Sequence, residues 1–104
     1  MANAVFHCTY KLKKDTCPQE FLQASQQLND GHISKQPGYV SWQQLNDGDT
    51  WVDICTFESM EDVKNFEANS GNPGELALKF YSFINMPSCV VRYFTVERSY
   101  GDTA

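Results

Sequence analysis

The sequence predicts an α+β subunit running β-α-β-β-α-β, with an antiparallel sheet in the order 4-1-3-2 and its helices on one face. Three observations carry the prediction. Four segments are rich in rings and β-branched residues, and the first alternates with a period of two. Between them, two segments repeat apolar residues at helical spacing. The junctions carry turn chemistry, with Asn-Asp-Gly twice and Pro-Gly before the second strand.

Taken in order, residues 5–12 (VFHCTYKL) set Phe6, Cys8, Tyr10 and Leu12 against Val5, His7, Thr9 and Lys11, a strand with one strongly apolar face. Cys17-Pro18-Gln19-Glu20 opens a helix, Pro standing near its first position and Glu in its first turn, followed by a stripe of Phe21, Leu22, Ser25 and Leu28. Asn29-Asp30-Gly31 is a local stop, yet His32 and Ile33 keep the helical phase. The helix is therefore expected to bend or restart there and to end before Pro37-Gly38. Residues 39–45 (YVSWQQL) and 50–57 (TWVDICTF) read as a hairpin around Asn46-Asp47-Gly48-Asp49.

The hexamer Gln-Gln-Leu-Asn-Asp-Gly at 26–31 recurs at 43–48. We read this as coincidence, since Asn-Asp-Gly suits a helix end and a hairpin alike wherever a positive φ is needed. Ser59-Met60-Glu61-Asp62 has the form of a capping box ahead of Val63 and Phe66. Residues 69–74 (NSGNPG) break that helix and form a loop suited to cover a pocket. A helix is expected to resume over 75–84 with Leu76, Phe80, Phe83 and Ile84 on one side, and Met86-Pro87-Ser88 to end it. Residues 90–99 (VVRYFTVERS) then form the last strand.

The 104 residues make one compact domain, 1–104, whose core leans on seven Phe, five Tyr and two Trp. Net charge is −5, and the only basic cluster, Lys11, Lys13 and Lys14, is followed by Asp15. A nucleic-acid partner and a polybasic membrane anchor both lack the cations they need. No apolar run approaches the ~18–20 residues of a membrane span, and the N-terminus lacks a charged-then-apolar signal pattern. The expected address is cytoplasmic. Cys8, Cys17, Cys55 and Cys89 include no CxxC and no Cys/His pair at zinc spacing, so no metal site is expected and reduced thiols are the simpler reading. Paired catalytic carboxylates, a Ser nucleophile elbow and a phosphate-binding glycine loop are absent.

Both faces of the strands carry rings and β-branched residues. Trp42, Trp51, Val91 and Tyr93 cannot all pack under two helices, and a chain of this length has no second layer to offer. Pairing two sheets face to face in a homodimer is the cheapest cover.

Lys35-Gln36-Pro37-Gly38-Tyr39-Val40-Ser41-Trp42 resembles the Pro-Gly-then-strand junction of the antibiotic biosynthesis monooxygenase-like family. Residues 53–63 (DICTFESMEDV) resemble that family's third strand and the helix start after it, with Phe57 where Trp is usual. The resemblance spans roughly residues 4–98. It implies a homodimeric α+β barrel with a pocket in each subunit between sheet and helices, and members that include cofactor-free oxygenases of anthrone- or quinol-type aromatics. The haem-degrading branch is not matched, because Asn3 precedes the first strand, Phe66 sits near the expected Trp and residues 60–84 contain no His. The His that other members carry in the second helix is also missing, with Glu67, Ala68 and Asn69 in its place.

Two readings follow. In the first, the chain oxidises a small aromatic without cofactor, since an ionised quinol reduces oxygen itself. His7 would be the base, near Asp53 and Arg92 on adjacent strands, and Arg92 would hold a substrate oxyanion. Tyr10, Trp42, Trp51, Phe66, Phe80 and Phe83 would wall the pocket. Against this, His7 also suits a hydrogen-bonded position inside the barrel, Asp53 would pair with Arg92 or His7 structurally, and the rings would be core. In the second, the protein is a non-catalytic homodimer that binds a small hydrophobic metabolite.

Overall fold

The computed structural model describes residues 2–69 and 74–101. Strands β1 (Ala4–Leu12), β2 (Tyr39–Asn46), β3 (Trp51–Phe57) and β4 (Ile84–Thr95) form one antiparallel sheet in the order β2-β3-β1-β4. This is the predicted β-α-β-β-α-β arrangement with its 4-1-3-2 sheet, a ferredoxin-like α+β fold. Helix α1 (Pro18–Gly31) runs into a short 3-10 turn (Ile33–Lys35), α2 spans Met60–Asn69 and α3 spans Gly74–Tyr81. Most of the loop expected over residues 69–74 lies outside the described residues.

Local chemistry accounts for the helix starts. Pro18 begins α1, where its missing N–H leaves nothing unpaired, and Glu20 lies in the first turn. At α2 the Ser59 hydroxyl accepts the Asp62 N–H at 3.2 Å and donates to the Asp62 carboxylate at 2.9 Å. The inward half of the expected capping box is thus present, while Asp62 reaches the Ser59 hydroxyl rather than its backbone.

One glycine is required by both its backbone angle and its surroundings. Gly38 has φ +78°, and a Cβ there would run into the Asp62 carboxylate, so the Pro-Gly junction is what lets β2 enter beside α2. Gly31 departs from expectation. It is the last residue of α1 and has no positive φ; a Cβ there would lie 2.6 Å from Leu76 Cδ1. The two hexamer copies therefore differ: only the second needs its glycine for a positive φ, at Gly48 with φ +100° in the hairpin turn, while Gly31 ends α1 against the tip of Leu76.

The largest departure is at the end of the chain. Helix α3 stops at Tyr81 and β4 begins at Ile84, so Met86-Pro87-Ser88 lies inside the strand instead of ending the helix. Pro is tolerated because β4 is an edge strand, pairing with β1 alone. The ladder slips there: Thr9 pairs with Val90 but Lys11 with Asn85, leaving residues 86–89 opposite Tyr10. Ser88 repairs the gap, its hydroxyl accepting the Lys11 N–H at 2.9 Å and donating to the Asn85 carbonyl at 2.6 Å.

Pairing register assigns the faces. Phe6, Cys8 and Tyr10 lie opposite Cys55, Asp53 and Trp51 on β3, and Phe6 and Cys8 lie opposite Tyr93 and Val91 on β4. All of these face the helices. Trp42, Trp51, Val91 and Tyr93, expected to overflow onto the other face, are on the helix side after all: Trp42, Val91 and Tyr93 border an incompletely filled space and Trp51 packs on Phe21. The open face instead carries Val5, His7, Val52, Ile54, Leu45, Val90, Arg92 and Phe94, and Leu45, Val90 and Phe94 are each about half exposed. No helix of the described residues is long and apolar enough to cross a membrane.

Candidate functional site: a buried carboxylate in an aromatic cavity

A cavity of about 330 Å³ lies between the sheet and the helices, large enough for a fused-ring organic molecule. β1 contributes Phe6, Cys8 and Tyr10, β3 contributes Asp53 and Cys55, and β4 contributes Met86, Cys89, Val91 and Tyr93. The helices close it with Leu28, Phe66, Glu67, Phe80 and Tyr81, and Trp42 stands at the β2 side. The walls are therefore mainly rings, sulfur atoms and aliphatic side chains.

Asp53 is the one buried acid among the described residues, 7% exposed. Its carboxylate accepts the Tyr10 hydroxyl at 2.8 Å. The Trp42 indole and the Gln44 amide lie beside it and favour its charged form. Gln44 is held in turn by the Ser25 hydroxyl at 3.0 Å, and Ser25 by the Phe21 carbonyl at 2.9 Å. This chain explains the polar Ser25 in the apolar stripe of α1. It anchors the amide that orients the carboxylate.

Burial raises the pKa of Asp53 to about 7, against the opposing pull of Tyr10, Trp42 and Gln44. A carboxylate so placed is about a thousandfold more basic than an ordinary aspartate and is half ionised near neutral pH. Burial, then the neighbouring Asp53 charge, push the Tyr10 phenol well above its ordinary range, so Tyr10 remains a hydrogen-bond donor. The Cys8 and Cys55 thiols are pushed up to about 12, chiefly by burial, and are neutral.

Of the residues singled out from sequence, the cavity gathers Tyr10, Trp42, Asp53, Phe66 and Phe80. Trp51 and Phe83 are not on its wall; both pack against Phe21, with ring centroids at 5.1 and 6.0 Å. His7 and Arg92 are cross-strand partners on the open face, so the pairing of Asp53 with either does not form. The His7 ring meets Phe94 at 5.6 Å, and its Nδ1 is buried with no hydrogen-bond partner. Residue 7 and residue 53 have opposite strand phase in this register, because Cys8 is the residue that pairs with Asp53.

Sequence reasoning missed Cys8, Cys55, Cys89, Met86 and Glu67 as wall residues. The period of two that groups Cys8 with Phe6 and Tyr10 was the available signal. The slip in β4 hides the corresponding signal for Cys89.

No protein-family model and no curated protein sequence matches the chain. Solved structures do. The cofactor-independent oxygenase SnoaB from Streptomyces nogalater superposes with a TM-score of 0.74 at 15% identity, covering 98% of this chain and 100% of that one. A protein named as an antibiotic biosynthesis monooxygenase from Bacillus cereus gives 0.66 at 19% identity, covering 98% and 100%. A dimeric ferredoxin-like protein from an uncultured marine organism gives 0.63 at 10% identity, covering 99% and 95%. The fold is thus that of the antibiotic biosynthesis monooxygenase-like proteins the sequence resembles.

Proposed function

We propose that the protein is a cofactor-independent monooxygenase of a small fused-ring aromatic, with Asp53 as the base. The observation that carries this reading is a carboxylate titrating near pH 7 inside an aromatic-walled cavity. An anthrone-type substrate is a carbon acid made more acidic by its conjugated carbonyl. Asp53 removes a ring methylene proton, and the resulting enolate transfers an electron to oxygen. Radical recombination forms a carbon–peroxide, whose loss of water leaves a quinone carbonyl. One oxygen atom enters the product and the other leaves as water, so the balance needs no external reductant. Tyr10 and Trp42 hold the carboxylate, and Phe66 and Phe80 flank the rings. The fold likeness to a cofactor-independent oxygenase supports the same reading.

The test is oxygen uptake with an anthrone panel on metal-free protein. Stoichiometric uptake with quinone formation is expected, and His7→Ala should retain it because His7 faces away from the cavity. No uptake, with a ligand still bound in the cavity, would favour the alternative of a non-catalytic metabolite-binding protein.

The reading includes a homodimer formed through the open sheet face, in a cytoplasmic setting that suits four free thiols. Half-exposed Leu45, Val90 and Phe94 and the unpartnered His7 Nδ1 share that face; a second copy would cover the apolar side chains and offer the imidazole a hydrogen-bond partner. Native mass spectrometry should give twice the chain mass. Replacing Phe94 with Glu should shift it to monomer.

A further inference from the structure

Three of the four cysteines line the cavity, and the oxygenation chemistry above uses none of them. Cys8 lies on β1 and Cys89 on β4, neighbouring strands, and both side chains face the same cavity. Cys8 pairs with Val91, two residues beyond Cys89 on the same face. The slipped segment around Ser88 places Cys89 on the cavity wall near Cys8, whose own S–H points to the Thr9 carbonyl at 3.9 Å, and Tyr81 of α3 lies close to both. Cys55 makes no such contact, and Cys17 is exposed at the start of α1.

We propose that Cys8 and Cys89 are a redox-active dithiol on the cavity wall, oxidised by small peroxides to a reversible disulfide. The cavity opens to solvent and admits a molecule the size of hydrogen peroxide. Cys89 is the attacking residue because it is the less buried of the two: burial raises both thiols, and the neighbouring Cys8 thiol offsets part of that rise at Cys89. The thiolate attacks one peroxide oxygen, the O–O bond breaks, and Cys89 becomes a sulfenic acid; the hydroxide released takes up the proton the thiol had lost and leaves as water. The Cys8 sulfur then attacks the Cys89 sulfur, the S–O bond breaks, and a second water leaves with the Cys8 proton. Two thiols lose two electrons and two protons, and one peroxide takes them up. Both thiols start largely neutral, so oxidation is slower than at an exposed thiolate and accelerates with rising pH. The new bond would tie the slipped segment of β4 directly to β1 and stiffen the cavity wall on the Met86 side.

The test uses the whole chain carrying Cys17→Ser, which removes the exposed thiol at the start of α1. The protein is treated with excess hydrogen peroxide, alkylated, digested without reductant and analysed by mass spectrometry. The expected product is lighter by two hydrogens, carries a Cys8–Cys89 cross-linked peptide, and reverts with dithiothreitol. Cys89→Ser in the same background should lose that cross-link. A Cys8–Cys55 link would overturn the proposal. So would full alkylation of Cys8 and Cys89 under peroxide that oxidises Cys17 in the unsubstituted chain. None of these readouts depends on oxygenase activity, so the two readings stand or fall separately.

Discussion

Asp53→Asn is expected to lower the rate of anthrone oxygenation at least ~100-fold, the usual scale of a lost general base. An amide of the same shape accepts from Tyr10 but cannot take a proton. In the wild type, kcat/KM should rise tenfold per pH unit at acid pH and level off above about 7, where Asp53 is ionised. The variant should lose this limb. A rate within threefold of wild type, or a profile unchanged by the substitution, would remove Asp53 from the chemistry.

The same substitution should stabilise the domain at alkaline pH. The folded chain holds the Asp53 proton up to about pH 7, whereas an unfolded chain releases it near the ordinary value of 3.8. Between those limits the native state binds more protons than the unfolded state. The group's contribution is therefore fully present below the lower value and is lost as pH rises through the upper one. The shift corresponds to an upper bound on the order of 4 kcal/mol. Because Asn carries no charge to bury, its Tm at pH 8–9 should exceed that of wild type, with the difference shrinking towards pH 4. A gain in stability together with a loss of activity is the signature of a charge buried for function. A purely structural aspartate would lose stability on substitution instead.

The largest loss of stability is expected from Phe21→Ala. Phe21 is fully buried and is the hub of the ring cluster on the helix side of the sheet. It stacks on Phe80 at 5.2 Å and meets Trp51, Tyr10 and Phe83 edge-on at 5.1, 6.0 and 6.0 Å. Removing the ring empties a space that neighbours from β1, β3, α3 and the turn after α3 cannot all close, and such substitutions cost about 3–5 kcal/mol. For a domain of this size that is a large part of its total stability and corresponds to a fall in Tm of at least ~15 °C. Denaturant midpoints measured by fluorescence would check it, and a change below ~1 kcal/mol would mean the cluster repacks freely. The Ser25 hydroxyl bonds to the Phe21 carbonyl and the Gln44 amide, so any backbone shift at residue 21 should also disturb the support of Asp53.

What could be read in the chain was mostly local. Alternation over 5–12, the Pro18 start, the Ser59 cap and the Pro-Gly junction each act within a few residues. The order of elements and the sheet order therefore followed from the sequence. The last strand did not, because Met86-Pro87-Ser88 carries the local signature of a terminator. Only its edge position in the sheet, and the Ser88 hydroxyl bridging Lys11 and Asn85, allow a proline there.

The candidate site divides in the same way. Its residue types were legible: Tyr10, Trp42, Asp53, Phe66 and Phe80 were all named from sequence. Their grouping was not. A period of two shows that residues 51, 53, 55 and 57 share a face. It cannot say which face meets the helices when both are apolar. Pairing of Cys8 with Asp53 settles that question and separates the acid from His7 and Arg92. Register is set by contacts between strands more than 40 residues apart in the chain. The amino-acid sequence by itself thus determined the elements, their order and the family likeness. The tertiary structure alone decided which side chains share the cavity, since a shift of one residue along any strand would have exchanged them all.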